Sequence, residues 1–194
     1  MQRVKDFLQR CKDEWNYPEV EPVLARIDLF EDSWNEDACR ICGGKCCKQG
    51  GCPFSPRDFL EISFLKLRDE IAKGYISIAY FPKGEKYCNP FKTGVFFLRM
   101  RNKGAPIVDI YDESHGECIL LTETGCPFSF ENRPFGGKAL LPRMHAEPDG
   151  EGYMFFCRQE YSTKDICFEW LPFKRILHEL ALYFADGTQV VPEK

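Results

Sequence analysis

Five of the chain's 11 cysteines fall within residues 39–52, in the order Cys39-x2-Cys42-x3-Cys46-Cys47-x4-Cys52. Residues 35–54 around them lack apolar periodicity and fill with Gly, Lys and Cys, so they are expected to form a loop that something other than a core must hold. The chain begins Met1-Gln2-Arg3-Val4-Lys5-Asp6-Phe7-Leu8, without an apolar stretch or a small-residue cleavage site of a secretory signal. No run approaches the ~20 apolar residues of a membrane span. With an odd cysteine count and a length of 194 residues, these features point to a reducing cytoplasm and a metal–thiolate site. The alternative is an exported, disulfide-bonded chain whose leader has been removed.

Composition narrows the function classes. Hydrophobic residues make up 44% and charged residues 29%, which excludes a mainly disordered or fibrous chain. The net charge of −4 carries no large block of one sign, so neither nucleic acid nor a membrane is an expected partner; a metal ion is.

A C-x2-C turn lets two thiolates face one ion while following backbone N–H groups bond the sulfurs, and Gly43 and Gly44 supply the backbone freedom for it. Lys45 and Lys48 stand beside the thiols in sequence and are expected to favour the thiolate form. Cys46 and Cys47 are adjacent, and neighbouring side chains of an extended segment point to opposite sides. One tetrahedral ion with Zn–S bonds of about 2.3 Å is awkwardly served by both, so they are expected to face two ions or a shared site. Cys118 and Cys126 flank residues 119–125, a possible hairpin that brings them together to complete the site.

The remaining pattern predicts an α+β fold: a single small domain over 1–194, with helical flanks at 1–34 and 172–187 and a short antiparallel sheet. Val4, Phe7, Leu8, Cys11 and Trp15 share one helical face, and Val20, Val23, Leu24, Ile27 and Trp34 begin another. Ser55-Pro56 reads as the start of a helix carrying Leu60, Phe64, Leu67 and Ile71, with Gly74 as its C′ residue. Strands are expected at 95–101, 106–111, 117–121 and 153–157, with turns at 102–104 and 112–116. The final helix carries Phe173, Ile176, Leu177, Leu180, Ala181 and Phe184, and Asp186-Gly187 stops it. Gly51-Cys52-Pro53-Phe54-Ser55 is echoed by Gly125-Cys126-Pro127-Phe128-Ser129, and loosely by Cys88-Asn89-Pro90-Phe91. The echo is too short for a repeat architecture.

The C-x2-C and C-C cluster, then Cys118-Ile119-Leu120-Leu121, Gly125-Cys126 and Arg133-Pro134, resembles the YkgJ-type CxxCxxCC family of zinc- or iron-chelating domains, to which bacterial flagellin lysine-N-methylases are related. The resemblance covers residues 39–142. It implies a cysteine-bound zinc ion or iron–sulfur cluster in a cytoplasmic bacterial protein, and no particular reaction. Two departures stand out. Gly43-Gly44-Lys45 lengthens the spacing to the third cysteine by one, and Gly137 occupies the place of a family cysteine. Cys157 is the nearest downstream replacement, with Cys167 behind it. The expected ligands are therefore Cys39, Cys42, Cys46, Cys47, Cys52, Cys118, Cys126 and Cys157, with the alternative that one coordination position stays open.

Zinc and iron–sulfur both suit thiolate ligands, and the spacing is not that of a bacterial ferredoxin. His115 and His145 read as loop residues and His178 as lying off the apolar face of the last helix, all three solvated rather than ligating. No phosphate-binding glycine loop, nucleophile elbow or H-E-x-x-H motif is present. Glu131, Asn132, Arg133 and Arg143 are polar groups near the site, more readily structural than substrate-binding. Phe96, Phe97, Phe128, Phe130, Phe135, Phe155 and Phe156 read first as core and second as a shield for the metal. The expected function is metal binding with a structural or electron-carrying centre. The alternatives are a methyltransferase-like protein-modifying enzyme that uses an iron–sulfur centre and a zinc-stabilised interaction module. No catalytic residue is assigned.

Overall fold

The computed structural model describes residues 35–81, 94–111, 116–146, 153–159 and 163–185. The helical stripes expected over 1–34, together with Cys11, Cys88 and His115, lie outside them.

Strand β1 (Ile76–Phe81) is buried at every position and forms the centre of a three-stranded sheet. It pairs antiparallel with β2 (Val95–Met100), from Ile76 opposite Met100 to Phe81 opposite Val95, and parallel with β3 (Val108–Ile110). The expected purely antiparallel sheet is therefore corrected to a mixed one. Strand β1 was not anticipated, because a strand covered on both faces shows an apolar run without alternation. The turn at 102–104 is present, whereas 117–121 forms only an isolated bridge between Cys118 and Asn102. A separate antiparallel pair joins β4 (Leu140–Ala146), also unanticipated, to β5 (Tyr153–Gln159), which contains the strand expected at 153–157. His145 thus lies in a strand rather than a loop.

Helices cover the main sheet. In α3 (Phe64–Ala72), Leu67 and Ile71 are fully buried, and Gly74 closes the helix at φ +84° with its N–H bonded to the Ile71 carbonyl at 2.9 Å. The expected longer helix from Ser55 is corrected. Ser55 caps only a 3-10 turn (Pro56–Asp58), Ser63 caps α3, and Leu60 between them is fully exposed. The Asp58 side chain accepts from the Ser55 N–H at 2.8 Å, so the capping box closes on itself before a longer helix can propagate. Near the C-terminus, α5 (Thr163–Trp170), a 3-10 turn (Leu171–Phe173) and α6 (Lys174–Ala185) follow one another. Leu177, Leu180, Ala181 and Phe184 of α6 face the core as expected, but His178 is only 7% exposed and stacks near Phe96, so it is not a solvated surface residue.

Residues 35–54 are not a plain loop. Helix α1 (Glu36–Cys42) starts where the Asn35 side chain accepts the Ala38 N–H at 2.8 Å, and it ends at Gly43 with φ +62°. Gly44, at φ +77°, leads into α2 (Lys45–Gln49). A side chain at Gly44 would come within 2.8 Å of Leu121 Cδ1 and 3.2 Å of Gly125 Cα, so this position needs both the left-handed backbone and the missing Cβ. Helix α4 (Phe135–Lys138) completes the described helices.

Candidate metal centre

Strand β2 positions the cysteines through its free edge. Residues 52–54 run alongside it: the Met100 N–H donates to the Cys52 carbonyl and the Phe54 N–H to the Leu98 carbonyl, both at 2.8 Å. Gly51 permits this approach, since a Cβ there would fall 2.0 Å from the Met100 carbonyl oxygen. Just past β2, the Ile119 N–H bonds the Arg101 carbonyl at 2.8 Å, and the Cys118 N–H bonds the Cys47 carbonyl at 2.7 Å. The chain then turns back through reciprocal Thr122–Gly125 backbone hydrogen bonds of 3.1 Å, the hairpin expected between Cys118 and Cys126.

The result is a small cavity lined by Cys46, Cys47, Cys52, Cys118 and Cys126, with Arg133 and Gly137 also in its wall. Both copies of the Gly-Cys-Pro-Phe echo deliver their cysteine to this cavity, and the second copy also its proline and phenylalanine, so the echo marks two arms of one site. The free space is about 30 Å³, the share of one water molecule in the liquid. Cys39 stands at its margin, where Arg133 Nη2 donates to its sulfur at 3.2 Å. Cys42, at the end of α1, is half-buried and outside the cavity wall. Cys167 is fully buried in the core in α5, away from these thiols. The Cys157 backbone lies in β5 opposite Pro142, and its side chain lies outside the described residues.

The thiols are unequal. The hydrogen bond from Cys47 pulls Cys126 down to about 6, assisted by the Phe128 N–H and by Arg133. Its partner Cys47 is pushed up by its hydrogen bonds to Cys126 and Cys46 and by burial. Burial also raises Cys52, Cys39 and Cys118. Arg133 opposes this at Cys39; at Cys118 the opposition comes from the N–H groups of Leu120 and Leu121 and from Arg99. Two arginines are thus among the cations acting on these thiols. Lys45 and Lys48, chosen for their proximity in sequence, are exposed on α2. N–H groups bonding sulfur, expected at the C-x2-C turn, occur instead at Cys118 and Cys126.

Donor chemistry suits a soft metal, but the ligand set is not preformed. Among the described residues, no three His, Cys, Asp or Glu side chains stand together as metal ligands; the thiols bond one another and Arg133 instead. Cys39, Cys42, Cys46, Cys47, Cys52, Cys118, Cys126 and Cys167 are all outside disulfides. Of the polar groups expected near the site, Glu131 and Asn132 are exposed in a 3-10 turn (Phe130–Asn132), Arg133 reaches the thiols, and the Arg143 side chain lies outside the described residues. Arg99 was missed; an arginine inside the apolar run of β2 was the available signal. Phe96, Phe97, Phe130 and Phe135 are buried in the core, while Phe128 lines the cavity; the Phe155 and Phe156 side chains lie outside the described residues.

A larger open cleft of about 650 Å³ adjoins the cavity and shares Met100, Leu120 and Phe128 with it. No helix of the described residues is long and apolar enough to cross a membrane. In comparison with known proteins, no family model, curated protein or solved structure matches the chain.

Proposed function

We propose that the chain binds a soft metal through the thiols of Cys46, Cys47, Cys52, Cys118 and Cys126, with Cys39 at the margin, as a structural or electron-carrying centre. The carrying observation is the convergence of these five cysteines, from segments far apart in sequence, on one ion-sized cavity. Thiolate sulfur favours zinc or iron over hard cations. Backbone N–H groups directed at Cys118 and Cys126 are the kind of outer interaction that orients thiolate ligands. Reduced thiols of this density suit a reducing compartment, and with it the cytoplasm. The resemblance to the CxxCxxCC family belongs to the same reading.

A second reading draws on Gly137. A Cβ at this position would lie 3.2 Å from Cys52 Sγ, so the missing side chain leaves one flank of Cys52 without a protein ligand. Together with the adjoining cleft, this favours a centre that admits an exogenous ligand, as an enzyme requires.

Anaerobic purification followed by metal analysis tests the proposal. The parent is expected to hold zinc or iron at near-stoichiometric level, and Cys126→Ser to lose most of it. A parent without either metal would overturn the proposal, as would a Cys126→Ser variant loaded like the parent.

A further inference from the structure

Resting on that metal-binding reading, we infer that the thiol cavity is built for a net-anionic metal–thiolate centre and that Arg99 is its buried counter-ion.

Arg99 is only 6% exposed and projects from β2, the strand along which the cysteine segments are laid. Its Nη2 donates to Asn102 Oδ1 at 2.7 Å, its Nε to the Met100 carbonyl at 3.4 Å, and its guanidinium carbon lies 5.4 Å from the Tyr111 ring centroid. Each of these three contacts is neutral; the Asp109 carboxylate also acts on the guanidinium. Asn102 Oδ1 is also shared, since it accepts the Gly51 N–H at 2.8 Å. Burying a guanidinium against neutral acceptors is unfavourable, because neutral dipoles replace only part of its hydration.

The position of the group indicates where further negative charge belongs. A Cβ at Gly50 would sit 3.2 Å from Nη2, so the guanidinium lies directly against the segment that leads into Cys52. Tyr111 and Asp109 act on Arg99 most strongly, and Cys52 and Cys118 are also near enough for their charge to act on it. In the cavity wall, Arg133 donates from Nη2 to Cys39 Sγ at 3.2 Å and from Nε to the Phe128 carbonyl at 3.1 Å. A divalent ion held by four thiolates carries two net negative charges, and two guanidiniums act on these thiols, Arg133 from the cavity wall and Arg99 on Cys118. Arg99 acts as a positioning residue here, not as a ligand.

The test uses the full chain loaded anaerobically with zinc, with two readouts: affinity from competition with a chromogenic chelator, and thermal midpoints of the metal-free and loaded forms. Arg99→Met keeps the length and removes the charge. It is expected to weaken zinc binding by about 10–100-fold while leaving the metal-free midpoint unchanged or higher. Arg99→Lys is expected to retain most of the affinity. A third variant, Asn102→Asp, supplies a permanent carboxylate to Arg99; it is expected to raise the metal-free midpoint and weaken zinc binding. Parent-like affinity in both Arg99→Met and Asn102→Asp would overturn the inference and leave the metal-binding reading standing. Equal losses of midpoint in metal-free and loaded Arg99→Met would also overturn it, since an ordinary packing role predicts that result. Should Arg99→Met fail to fold, parent-like affinity in Asn102→Asp alone overturns it. A parent that binds neither zinc nor iron removes both readings.

Discussion

Two regions meet along β2 and are held by different means. On one side, β1, β2 and α6 interlock large apolar side chains; Ile78, Phe97, Leu98, Leu177 and Leu180 are fully buried. On the other side, residues 35–54 and 116–137 place few apolar side chains in the core, chiefly Ala38, Phe54, Phe130 and Phe135. That side is traced instead by backbone hydrogen bonds to β2, by left-handed Gly43, Gly44 and Gly125, and by sulfur contacts. Burial of area stabilises the first region without further help. Hydrogen bonds exchanged with water contribute little net stability, so the second region has a fold but lacks the corresponding driving force. A metal–thiolate centre is the kind of interaction that supplies it, because binding free energy then becomes folding free energy.

The largest effect is expected in the apolar region. Phe97→Ala should lower global stability by about 3–5 kcal/mol, measured by denaturant unfolding. A loss below about 1 kcal/mol, the scale of a surface substitution, would show that the sheet is not the cooperative core. The next effect falls on the strut between the two regions. Glu169, in α5 and 1% exposed on its side chain, accepts from Arg57 Nη2 at 2.8 Å and from the Ser55 hydroxyl, while Trp170 Nε1 donates to the Phe54 carbonyl at 2.7 Å. Glu169→Gln should cost about 2 kcal/mol, since hydrogen bonds to charged groups are the stronger kind. Metal content should stay at the parental level because no thiol is touched. Lost metal with unchanged stability would reverse the roles assigned to the two regions.

How legible these regions were follows from how each is held. Leu67 and Ile71 of α3 and the inward face of α6 announced themselves, because a helix half covered by a sheet must repeat its apolar residues at helical spacing. Strand β1 gave no such signal, being covered on both faces. Leu60 fitted the α3 spacing by coincidence and lies outside the helix. Helices α1 and α2, of 7 and 5 residues, are too short for a period to develop; only Asn35 as a cap and Gly43 as a terminator marked them. Of the eight expected cysteines, Cys46, Cys47, Cys52, Cys118 and Cys126 share one cavity, the last two brought there by the 119–125 turn, while Cys39 and Cys42 do not line it. Arg99 and Arg133 were not readable as electrostatic partners, because they reach the thiols through the fold rather than along the chain.

The smallest effect sharpens the second region without unfolding anything. In metal-free protein, Cys126 lies below the ordinary thiol value of 9.0, at about 6, while Cys47 keeps the proton it donates. Because the folded value is the lower one, the stabilisation is complete above the unfolded value and is lost as pH falls through about 6. Iodoacetamide labelling of Cys126 should therefore rise through that pH and level off, with Cys47 and Cys52 slow at neutral pH. Equal labelling of all three would contradict the pairing of Cys47 with Cys126.

X-ray absorption at the metal edge of anaerobically purified protein tests the metal–thiolate centre most directly. The account predicts a first shell of sulfur at about 2.3 Å from zinc or iron, diminished in Cys52→Ser and Cys126→Ser. A first shell of oxygen and nitrogen alone, or no bound metal, would contradict it.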